Sequence, residues 1–210
     1  MDGLSTLVVR ASAQPPFFRS FAGLAIMTLP NYNTDVDFVM HYPSCSGGHV
    51  NPAVTIGLAA AGKIPPLEAV LYIIAQLIGG VFGSLMILLS YDQYVSIQGG
   101  ATLCGMDVMW YQALIAEVLT TYLLMQTVLM TAVDSSTVLA PLAIGFTLIV
   151  DILAAGSISG ASMNPGRSFG PNIVATIFMQ DKLADRFWSY HWVYYVGPSL
   201  GALLAVSMYR

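Results

Sequence analysis

Two Asn-Pro dipeptides stand in matching surroundings, SGGHVNPAVT at 46–55 and SGASMNPGRS at 159–168, with Asn51 and Asn164 separated by 113 residues. Ser, Gly, Asn and Pro recur in register. A proline is pre-set for the first turn of a helix, and an asparagine before it caps the unpaired N–H groups there. Pro52-Ala53 and Pro165-Gly166 therefore read as the starts of two helices. A short helix that begins inside a bilayer aims its positive end and a side-chain amide into a cavity. Two such ends facing each other make a polar point that repels cations. An isolated Asn-Pro is a loop or a cap; a pair with shared flanks points to a pore.

Composition agrees that lipid is the main solvent. Of 210 residues, 56% are hydrophobic and 9% charged, and the mean hydropathy is +0.72. A soluble domain carries roughly 25% charged residues. The net charge of −4 and the seven scattered basic residues exclude nucleic acid as a partner. Cys45 and Cys104 are too few and too far apart for a zinc site or a disulfide framework. No nucleophile–base pair, phosphate loop or metal-ligand spacing occurs, so neither an enzyme nor a bound cofactor or metal is expected. The N-terminus does not read as a signal peptide, because Arg10 and Arg19 interrupt it.

Four stretches are long and apolar enough to span: Pro66–Ser90, and residues 111–133, 138–158 and 188–209. About 20 residues cross roughly 30 Å of hydrocarbon. Glycines at helical spacing (Gly79, Gly80 and Gly83; Gly197 and Gly201) suit close helix contact in lipid. Trp110, Tyr111, Trp188, Tyr190 and Trp192 sit at span ends, where interfacial aromatics belong. Residues 52–61 and 165–178 are too short to cross and read as re-entrant halves.

The second half orders its parts as span, span, half-helix, span. Three spans per half put the two copies in opposite orientations, the inverted-repeat plan. The first half does not match in full. The counterpart of 138–158 is 25–45, which carries Pro30, Asn31, Asn33, Asp35 and Asp37 in its middle. Each charge costs roughly 3 kcal/mol at mid-bilayer, so this stretch is a poor span. The expectation is an all-α membrane protein, a helical inverted-repeat bundle with two re-entrant half-helices and its first two spans incomplete. Residues 1–43 form a degenerate or truncated N-terminal region and residues 44–210 the channel domain.

These features resemble the aquaporin, or major intrinsic protein, family over about residues 44–210. The resemblance is carried by SGGHVNPAVT at 46–55, AQLIGG at 75–80, Glu117, SGASMNPGRSFGP at 159–171 and HWVYYVGP at 191–198. VDIL at 150–153 and the Gly-rich approach to the second motif look most like the aquaporin-eight branch.

The resemblance implies that Asn51 and Asn164 are the pore asparagines. It makes Arg167 the arginine of a selectivity constriction, with Ile152 and Ala161 as two further walls. Strict water channels have histidine where this chain has Ile152, which implies a wider and less polar neck. That neck suits water and small neutral solutes such as ammonia and hydrogen peroxide. Ser168 stands where glycerol facilitators have aspartate, which disfavours glycerol. Glu117 is expected to accept hydrogen bonds from re-entrant backbone, and Gln76 to tie helices together. His49 either lines the approach to the pore or bonds the loop. The family forms homotetramers in membrane lipid, each protomer with its own pore, and the same is expected here. A second reading, from the polar stretch 25–45, is a truncated family member that does not conduct and is degraded or modulates intact subunits. An ion-coupled transporter would need more midplane charges than Arg167 supplies.

Overall fold

The computed structural model describes residues 49–90, 98–134, 139–179, 182–183 and 187–209. The expectations for 1–43 and the polar stretch 25–45 lie outside the described residues, as does Cys45.

Six α-helices make up the described chain, and no strand occurs among the described residues. α1 (Pro52–Ala60) is the first half-helix. Gly62, at φ 73°, ends it, with the Gly62 N–H on the Ala59 carbonyl and the Lys63 N–H on that of Leu58. That pair of bonds is a glycine-dependent C-terminal cap. α2 (Pro66–Ser90) matches the expected span residue for residue. α3 (Trp110–Val128) continues through a wider π turn to Asp134. α4 (Ala140–Ala155), the second half-helix α5 (Pro165–Met179) and α6 (Val193–Tyr209) follow.

Two expected spans come out shorter than their apolar stretches. α4 has 16 residues rather than the 21 of 138–158, about 24 Å at 1.5 Å per residue. Pro141 sets its start, and residues 156–159 leave the helix to form the turns that feed the second motif. α6 has 17 residues, because 187–192 are wound in turns that bond three residues apart, such as His191 N–H to Trp188 O and Val193 N–H to Tyr190 O. α2 and the 110–134 unit keep full spanning length.

The sidedness is that of a protein in lipid. On α2, Leu67, Ile74, Ile78, Phe82 and Leu89 are exposed, while Tyr72, Gln76, Gly79, Gly80, Gly83 and Ser84 are buried. Large apolar side chains outside and small or polar ones inside suit a solvent as apolar as the core. The small residues let backbones touch: a Cβ added at Gly170 of α5 falls 2.2 Å from the Gly80 carbonyl of α2, and one at Gly201 of α6 falls 2.3 Å from the Val118 carbonyl of α3.

The half-helices are exchanged. α1 packs more extensively on α6 than on α2, and α5 on α2 rather than α6. Ala53, Leu58, Leu124, Met125, Ile144, Ala155, Ala161, Met163 and Ala202 form one apolar cluster around α1 and the second motif. This packing brings the two motif loops face to face.

Candidate functional site

Each asparagine caps its own half-helix. Asn51 is extended (φ −143°, ψ 119°) and its Oδ1 accepts from the Ala53 N–H at 2.8 Å. Asn164 Oδ1 accepts from the Gly166 N–H at 2.9 Å and the Arg167 N–H at 3.3 Å. Glycine in place of alanine after Pro165 therefore leaves the cap intact.

The amide nitrogens then cross between the repeats. Asn51 Nδ2 donates to the Met163 carbonyl at 2.8 Å, and Asn164 Nδ2 donates to the Val50 carbonyl at 3.2 Å. Each donates to the carbonyl of the residue that precedes the other. An amide NH2 carries two hydrogens, so these bonds leave one N–H on each asparagine. Both residues are almost wholly buried, at 8% and 9% exposure. The helix ends that meet here add partial positive charge from both sides.

The second loop needs support because its backbone is unusual. Gly160 (φ 83°), Ala161 (φ 47°) and Met163 (φ 53°) all take left-handed conformations, each costing a non-glycine residue of order 1 kcal/mol or more. The turn they make points successive N–H groups inward, a concavity for an anion. Glu117 fills it. Its Oε1 accepts from the Ser159 hydroxyl at 2.6 Å and the Ser162 N–H at 2.8 Å, and its Oε2 accepts from the Met163 N–H at 2.7 Å. Tyr194 of α6 donates to the Ser159 carbonyl at 2.6 Å.

A neutral tie serves the first loop. Gln76 Nε2 donates to the His49 carbonyl and, at 3.0 Å, to the Thr55 hydroxyl, which donates to the Asn51 carbonyl at 3.0 Å. His49 Nδ1 lies 3.0 Å from the same hydroxyl, and the ring rests on Tyr72 with centroids 4.5 Å apart. Of the two roles open for His49, loop bonding has direct contacts here.

Arg167, one turn into α5, is exposed, and its Nη1 donates to Thr102 Oγ1. Ile152 is half-buried and packs on the apolar cluster that contains Ala161 and Met163; Ala161 itself is 1% exposed. The structure thus joins Asn51 to Asn164, Glu117 to the second loop, and Gln76 and His49 to the first. Thr102 was not visible as a partner in the sequence. It lies in the connection between α2 and α3, 65 residues from Arg167, and no local pattern marks it. Gly105 N–H on the Ile158 carbonyl, at 3.0 Å, docks the same connection on the second loop.

The sequence model described as Major intrinsic protein matches residues 20–209. The chain belongs to that family.

Its match begins well upstream of the first motif. Among similar proteins, Aquaporin TIP1-2 of Musa acuminata is 42% identical over 78% of this chain and 62% of the relative. Aquaporin AqpM of Methanothermobacter marburgensis is 43% identical over 79% and 67%. Aquaporin-8 of Mus musculus, from the branch that VDIL pointed to, is 36% identical over 94% and 69%. The chain spans about three fifths of the length of the banana relative. An aquaglyceroporin from Plasmodium falciparum has the same fold, with a TM-score of 0.75 over 92% of this chain and 95% of that one at 22% identity. Major intrinsic proteins are multi-pass membrane proteins, and the apolar exterior of α2 and α3 fits that setting.

Proposed function

We propose that this chain forms a passive pore for water and small neutral solutes, ammonia and hydrogen peroxide among them. The observation that carries the proposal is the crossed pair of asparagines, each with one N–H left unused among the described residues and backed by a helix N-terminus. A water oxygen that accepts both spare N–H groups turns its own hydrogens away toward the two ends of the file. No hydrogen-bonded chain then runs in one direction through that point, and proton hopping is broken there. The positive helix ends and Arg167 oppose cations. Ile152 and Ala161 are read as further walls of the neck beside Arg167, and Ile152 favours solutes less polar than a histidine-lined neck admits. By likeness to the family, four copies assemble, each with its own pore.

Stopped-flow shrinkage of proteoliposomes carrying the purified chain tests the reading, with Arg167→Val and Asn164→Asp beside it. Fast water flow of low activation energy that changes in both variants is the expected result. Flow no faster than in empty liposomes, from protein shown to be inserted, overturns it and favours a family member that does not conduct by itself.

A further inference from the structure

The partner of Arg167 is itself held from behind. Thr102 Oγ1 accepts from Arg167 Nη1 and, at 3.0 Å, from the Ser168 hydroxyl. Ser168 Oγ lies 2.6 Å from Ser162 Oγ; with its own hydrogen committed to Thr102, Ser168 accepts from Ser162, whose oxygen accepts in turn from the Asn164 N–H at 3.4 Å. Thr102, Ser162 and Ser168 are all buried, whereas the arginine they serve is exposed. A hydroxyl has one hydrogen and two lone pairs. Left to rotate, Thr102 could present either to the guanidinium. With Ser168 donating from one side, the remaining lone pair faces Arg167. The Thr102 methyl is wedged against Gly160, where an added Cβ would come within 2.8 Å of it, so the side chain has little freedom besides its hydroxyl.

We infer that Ser168, backed by Ser162, is a positioning residue: through Thr102 it fixes the direction in which Arg167 presents its guanidinium, and so selects which uncharged solutes pass beside water. The relay runs from the arginine to the backbone of Asn164, so the constriction and the asparagine pair share one set of buried hydroxyls. Selection of solutes rests on the pore reading above; the fixing of the arginine does not.

The test uses the full chain in lipid nanodiscs and proteoliposomes, as wild type, Ser168→Ala, Thr102→Val and Thr102→Ser. Thr102→Val keeps the side-chain shape and lies outside α5, and Thr102→Ser keeps the hydroxyl. Nitrogen-15 spectra of the arginine side chains, with Arg167 assigned by its loss in Arg167→Lys, report whether its Nη groups are held or rotate freely. Urea-to-water flux ratios report selection. Ser168→Ala and Thr102→Val are expected to free the Arg167 signal and to change the ratio roughly two- to tenfold, the worth of one such hydrogen bond. Thr102→Ser should restore both. A held Arg167 signal in Ser168→Ala overturns the relay. A freed signal with an unchanged ratio overturns its part in selection. Wild-type flow no faster than in empty liposomes sinks the pore reading, and the spectra still decide whether Ser168 holds the arginine.

Discussion

Replacing Glu117 by glutamine changes one atom and removes an acceptor that the second loop cannot replace locally. The carboxylate takes three hydrogen bonds, two on Oε1 and one on Oε2, at 2.6–2.8 Å. A glutamine oxygen in the Oε1 position keeps Ser159 and Ser162 but turns an NH2 toward the Met163 N–H. An unsatisfied buried N–H costs about 1–3 kcal/mol, and the two surviving bonds lose their charge assistance, about 1 kcal/mol together. The other orientation abandons two donors and is worse. The sum of about 2–4 kcal/mol corresponds to a melting shift of about 5–15 °C for a chain of this size. The shift should be read by thermal unfolding in detergent, with osmotic flow in parallel. Glu117→Ala orphans all three donors, costs about 3–9 kcal/mol, and approaches the whole stability of a typical domain; it should fail to accumulate. A Glu117→Gln protein that melts and conducts like wild type would refute the claim that this carboxylate holds the left-handed turn.

Gly170→Ala places a Cβ 2.2 Å from the Gly80 backbone, and overpacking of this kind costs about 1–3 kcal/mol; a lower melting temperature checks it, and an unchanged one shows that α2 and α5 can part. Gly62→Ala meets no atom within 4 Å but must hold φ 73°, so it should lose about 1 kcal/mol from backbone strain alone, again read by melting. Asn51→Ala removes a cap worth about 1 kcal/mol together with the bond to Met163, and its osmotic flow should fall more than its melting temperature indicates.

What could be read in the sequence is what proximity along the chain dictates. α2 was bounded correctly because an apolar run with a single charge, Glu68, starts at a proline and ends at a serine. Both half-helices were started correctly because Asn-Pro fixes a helix start, their ends falling one residue off at Ala60 and Met179. Glu117 stood out as a carboxylate inside a span. The crossed bonds of Asn51 and Asn164 could be expected only as a pair of donors; that each lands on the carbonyl before the other depends on how the loops are pressed together. Thr102 and the left-handed Met163 were invisible for the same reason, since their partners lie 65 and 46 residues away. The ends of α4 and α6 were misjudged because hydropathy continues through turns that the backbone has already left.

The exchange of half-helices has a consequence for how such a chain is made. α1 finds its larger packing partner in α6, which leaves the ribosome about 130 residues later. At about 5–20 residues per second that delay is on the order of ten seconds. Through that interval the first re-entrant segment has its cap, its tie to Gln76 and only its smaller packing partner, α2, to lean on. The pore therefore has no finished half at any stage of synthesis, and damage to the last helix is expected to show first at the beginning of the chain's own symmetry, in the loop around Asn51.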